Sequence, residues 1–239
     1  MVHLTKILPV IGLTLLVACD PPDRQADVDG TRDTATAETD RRVTAGTHRQ
    51  DVQEAWRDTR NRMDQRQSRI SERSEDLWDR ISDRASETWR DIESGLEGIG
   101  DDDPESIHQS RDDAARRLAE LEAEVAEAEV STARTAEELR DVSNEWIEQV
   151  ESDISHMERL LPQIERSAMA RDRVDLDGDD LRDMRDRVRE MRAEVQEAVL
   201  DQEGLERRED LAGDLSDLVK DARETRYRLQ WSQPRTARR

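Results

Sequence analysis

Three histidines lie beyond residue 20, at His48, His108 and His156, and two follow a carboxylate by three positions, in Glu105-Ser106-Ile107-His108 and Asp153-Ile154-Ser155-His156. Residues three apart share a helix face, so each pair can offer a carboxylate oxygen and an imidazole nitrogen to one divalent metal, as paired-metal helical bundles do. With 59 Asp and Glu in 239 residues, such pairs arise by chance. Each His also falls beside the apolar stripe of its segment, so no metal is expected there. Asp175-Leu176-Asp177-Gly178-Asp179-Asp180 resembles half of a calcium loop. Such a loop needs acids at positions 1, 3 and 5, Gly at 6 and Glu at 12. With Gly178 at position 6, Arg173 and Met184 occupy positions 1 and 12, so a turn with Asp177 capping the next helix is expected instead. No Gly-x-Ser-x-Gly elbow and no Gly-rich loop after a strand occurs. The expectation is therefore no catalytic residue, no metal, no cofactor and no enzymatic activity. The remaining reactive group is the thiol of Cys19, the only cysteine.

Its surroundings say what that thiol is for. Lys6 is the one charge before it, and residues 7–17 form an apolar run of eleven. A membrane-spanning helix needs about twenty such residues, so the run suits a cleavable signal. It ends in Leu16-Val17-Ala18-Cys19, which resembles the lipobox of bacterial lipoproteins. The resemblance implies a diacylglycerol thioether on Cys19, cleavage after residue 18 and acylation of the new amine. Two or three acyl chains anchor a protein stably where one does so marginally. Asp20 resembles the signal that keeps lipoproteins of enteric bacteria in the inner membrane, so the implied location is the periplasmic face of the inner membrane, favoured over the outer. The membrane, reached through the N-terminal lipid, is the first partner expected.

Loss of residues 1–18 leaves 37 basic against 59 acidic side chains, a net charge of −22. Nucleic acid is excluded as a partner, because phosphate binding needs a basic face. Apolar residues make up 33% and aromatic residues 3%, with no Phe, which argues against a thick globular core. The acid excess resembles that of proteins adapted to high salt, where screening shortens the self-repulsion of a charged chain.

Residues 20–47 hold Asp, Thr, Ala, Pro and Gly with almost no large apolar side chain and are expected to form a disordered tether. Residues 48–99 repeat every eleven, with rows beginning at Trp56, Gln67, Trp78 and Trp89 and apolar groups recurring at Ile70, Ile81 and Ile92 and at Met63, Ala85 and Leu96. Eleven residues complete three helical turns, so one long helix with a narrow Trp stripe is expected. Gly98 and Gly100 break the pattern. Pro104 then opens a heptad series through Leu118, Leu121, Val125, Ala128, Leu139, Val142 and Trp146, continuing after a four-residue slip to Val150, Ile154, Met157, Leu161 and Ile164. Thr135-Ala136-Glu137-Glu138 reads as a capping box, which would split this segment into two helices. Pro162 is expected to kink or end it. Leu181, Met184, Val188, Met191, Val195 and Ala198 form a further series, and Leu211, Leu215, Leu218, Ala222 and Leu229 the last. No alternating strand pattern occurs.

The fold class expected is all-α: elongated amphipathic helices arranged over residues 104–231 as an antiparallel coiled-coil hairpin, or as a three-helix bundle if Gly204 makes a corner. The Trp repeat is similar, over residues 45–99, to the tandem repeats of exchangeable apolipoproteins and desiccation-related helical proteins. It suits a seam against another helix or a helix lying on a membrane, although residues 48–99 carry ten Arg against thirteen acids. The expected function is a structural, spacer or adaptor role in the cell envelope, with a partner protein or self-association through the helical stripes. The alternative is membrane-surface binding through the Trp repeat.

Overall fold

Helices form wherever apolar residues recur at three- to four-residue spacing, and tertiary packing completes their stability. The computed structural model describes residues 32–97, 99, 104–165, 176–200 and 207–232. These residues form six helices and no strand: α1 Arg32–Ser71, α2 Glu75–Glu97, α3 Pro104–Ser131, α4 Ala136–Glu165, α5 Gly178–Leu200 and α6 Arg208–Ser232. The all-α class holds, but the helices pack together as a six-helix bundle and not as an extended rod or simple hairpin.

One boundary differs from expectation. α1 spans Arg32–Ser71, and its packed part begins at Thr47 and His48, both buried. The single long helix over residues 48–99 is in fact two. α1 ends at Ser71, and Ser74 caps α2, its Oγ accepting from the Leu77 amide at 3.4 Å with Glu75 and Asp76 in the first turn. The chain reverses there, and the repeat packs on itself. The indole rings of Trp56 and Trp89 stack at 5.2 Å, and Arg49 donates to the Leu96 carbonyl at 3.1 Å, so α1 and α2 are antiparallel.

The later boundaries follow the sequence. Thr135 Oγ1 accepts from the Glu138 amide at 3.1 Å while the Glu138 carboxylate accepts from the Arg134 amide at 2.8 Å, closing the N-terminus of α4. Asp177 caps α5 by accepting from the amides of Asp179 and Asp180 at 2.7 and 3.1 Å. α4 runs on to Glu165 past Pro162. The Gly204 corner lies outside the described residues.

α3 packs against α1, α2 and α6; α6 in turn packs against α4 and α5. α3 and α6 run antiparallel, with Arg111 meeting the Trp231 carbonyl at one end and Ser216 the Ala123 carbonyl nearer the other. Ala114, Ala115, Ala119, Ala123 and Ala126 of α3 are buried. Small side chains shorten the distance at which helices can meet, which suits a helix covered on several sides. The result corrects the expectation of a thin core: one continuous apolar cluster reaches from Val52 to Trp231. Trp56, Trp78, Trp146 and Trp231 all lie in it, with Trp89 packed against it.

Candidate functional site

The least ordinary feature is a ladder of charges inside this core. Thr59, Arg62, Arg66 and Arg69 are spaced by three and four along α1, and Arg73 continues the spacing in the turn just after it, so they form a second stripe beside the apolar one. The acids they meet repeat by seven: Glu122 and Glu129 on α3, Glu138 and Glu145 on α4.

On the lower rung, Glu122 is 1% exposed. Its Oε1 accepts from Thr59 Oγ1 at 2.7 Å, Arg62 Nη2 at 2.6 Å and Tyr227 Oη at 2.8 Å. Its Oε2 meets Arg62 Nε at 3.1 Å and Arg223 Nε at 2.8 Å. Arg223 passes the contact on to Asp153 at 2.8 Å and donates to Gln149 at 3.0 Å; Arg226 also holds Asp153. Four helices, α1, α3, α4 and α6, thus share one rung.

Burial favours the protonated acid. At Glu122, Arg223, Arg62 and the hydrogen bonds from Arg62 and Thr59 outweigh it and bring the carboxyl down to about 2. At Asp153 burial prevails over Arg223 and Arg226, and its carboxyl is raised. Burial and the neighbouring Glu122 carboxylate raise the Tyr227 phenol, so it stays a neutral donor.

On the upper rung Arg66 pairs with Glu129, which also accepts from Trp146 Nε1 at 2.9 Å. The Arg66 guanidinium lies 4.0 Å above the Trp146 ring, a cation–π contact. Glu145 closes the rung from the solvent side, meeting Arg66 at 3.3 Å and Arg69 at 2.6 Å, and Arg73 approaches Glu138 at 3.6 Å.

At the far end of the bundle His48, 1% exposed, accepts from Arg111 Nε at Nδ1 over 3.0 Å and meets the edge of Trp231. Burial, then the charges of Arg111, His108 and Arg49, lowers its imidazole to about 3. It is a neutral core histidine.

The expected chemistry-bearing residues are dispersed. Asp153 faces Arg223 and Arg226, while His156 is half-buried one turn away. Glu105 is exposed in the first turn of α3. Among the described residues no group of three or more His, Cys, Asp or Glu is placed to hold a metal. Asp175, Cys19 and Asp20 lie outside the described residues. The ladder itself escaped the sequence reading, although the Arg heptad on α1 and the seven-residue acid spacing were visible; among so many charges neither stood out.

Chemically the ladder is a clasp. Both Glu122 oxygens already accept several donors, which leaves the carboxylate poorly suited to take a proton from a substrate. Removing one partner of such a buried pair leaves an uncompensated charge and strongly favours separation of the helices. Compared with protein-family models, characterised proteins and solved structures, the chain matches none.

Proposed function

We propose that the protein is a lipid-anchored, periplasmic component of the cell envelope with a structural, spacer or adaptor role. The observation that carries this reading is Leu16-Val17-Ala18-Cys19, a lipobox whose cysteine is the only one in the chain. Asp20 beside it supports retention at the inner membrane. No described helix is long and apolar enough to cross a membrane. The folded part adds the role: its apolar stripes are spent on mutual packing, its buried charges clasp the helices together, and its outer faces carry solvated Arg, Asp and Glu. Burial of Trp56 and Trp78 supports this reading over one in which the Trp repeat lies on lipid.

The test is the full chain carrying Cys19→Ala, expressed in cells fed labelled palmitate. The wild type is expected to take up label and sediment with membranes. The variant is expected to lose the label and to accumulate as an uncleaved or soluble product. Equal labelling of both chains contradicts the proposal. Liposome co-sedimentation of the unlipidated protein, expected to show no binding, separates it from the Trp-surface reading.

A further inference from the structure

The seam between α2 and α3 opens into a groove of about 520 Å³ lined by Leu77, Arg80, Ile81, Arg84, Glu124 and Glu127, among others. Its walls carry opposite charge: Arg80 and Arg84 on α2, Glu124 and Glu127 on α3. Arg84 reaches across to Glu124 at 3.4 Å. Arg80 and Glu127 are both exposed, and neither has an ion-pair partner among the described residues. Leu77, a half-buried aliphatic side chain, also lines the groove. The groove between α5 and α6 differs: beside Arg187, which already pairs with Asp221 at 2.6 Å, Glu190 and Glu194 stand on one wall and Asp214 and Asp217 on the other, so acids predominate on both walls.

A two-fold interface joins a patch to an identical patch and therefore needs self-complementarity. The α2–α3 groove has it. α2 and α3 are antiparallel, with Arg84 level with Glu124 and Asp91 level with Arg117, which puts Arg80 level with Glu127. A two-fold axis running along the groove lays α2 of each copy over α3 of the other at the same level. Arg80 of one copy then meets Glu127 of the other, twice, with the Leu77 side chains brought toward the axis. The same axis points both copies the same way, so both α1 N-termini leave from one end.

We infer that this groove is the interface of a symmetric homodimer, with a second copy of this chain as its occupant. The inference does not depend on lipidation, but the shared direction suits two anchors in one membrane. The test measures the mass of the full chain, purified from whichever cell fraction holds it, with detergent if that fraction is the membrane, by sedimentation velocity in moderate salt. Two chains per particle are expected. Arg80→Glu and Glu127→Arg should each shift the protein to one chain, and the double variant should restore two, because the reversed charges again face each other across the axis. Both positions are exposed, and unchanged circular dichroism checks that the fold is retained. A single chain per particle in the wild type overturns the inference. So does a dimer indifferent to both single substitutions, or a double variant that fails to recover.

Discussion

Trp56 and Trp89 begin the first and last rows of the eleven-residue repeat, and their rings stack at 5.2 Å with planes 14° apart. The relationship exists because the helix breaks at residues 72–74 and folds the repeat back on itself. Trp56 is 9% exposed, so Trp56→Ala is expected to cost about 3–5 kcal/mol of stability. The half-buried Trp89 should cost less. A double-mutant cycle by urea unfolding should give a coupling of about 0.5–1.5 kcal/mol, the range for aromatic pairs. Additivity of the two substitutions contradicts the stack.

Arg66 and Glu129 test the clasp. Arg66→Ala leaves the Glu129 carboxylate buried with its closest cation gone, an expected loss of about 3–5 kcal/mol. Arg66→Met with Glu129→Gln removes both charges and keeps volume, so it should recover much of that loss. Denaturant midpoints of the single and double variants decide the matter.

His48 gives the fold a pH dependence of definite sign. Its imidazole protonates near 6.5 in the unfolded chain and only near 3 in the fold, so the unfolded state binds the extra proton first. Stability contributed by the neutral imidazole is present above about pH 6.5 and falls as pH drops toward 3, by about 1.4 kcal/mol per pH unit in that window. Glu122 adds a second loss, beginning near its unfolded value of 4.5 and continuing to about 2. His48→Gln should reduce the slope of the stability profile between pH 6.5 and 5, leaving the contribution of His156, whose imidazole burial and the charges of Arg226 and Arg159 also lower. Thermal melts across this range measure it.

Gly213 lies within α6, exposed, with open space where a side chain would stand. Alanine loses less conformational freedom on folding, so Gly213→Ala should raise stability by about 0.4–1 kcal/mol. Chemical denaturation checks it.

Salt should also stabilise the protein. The Debye length falls from about 30 Å at 0.01 M to about 3 Å at 1 M, which removes long-range repulsion among the excess carboxylates while buried pairs are screened much less. Helicity and melting temperature are expected to rise from 10 mM to 1 M NaCl by circular dichroism. An equal or lower value at 1 M means that surface ion pairs outweigh net repulsion.

The apolar periodicity was legible, and so was much of the core. Leu118, Leu121, Val125 and Ala128 on α3, Val150, Ile154 and Met157 on α4, and Leu215 and Leu218 on α6 are all buried as their spacing demands. What periodicity could not show is a helix buried on more than one face. The second face of α3 consists of Ala119, Glu122, Ala126 and Glu129, small or charged groups that read as solvated until α1 and α6 cover them. The reversal at residues 72–74 was hidden for a similar reason: the repeat continues in register through the turn, and only Ser74 marks it. Arg223, Tyr227 and Trp231 belong to the last helix and its core, yet among their many Arg and Glu neighbours they form no apolar stripe of their own.

Anchoring at Cys19 is the centre of the functional proposal. Mass spectrometry of the N-terminal peptide of the protein extracted from host membranes tests it most directly. The expected peptide begins at Cys19 and carries diacylglycerol on the thiol and an acyl group on the amine. A mature N-terminus elsewhere, or an unmodified Cys19 thiol, contradicts it.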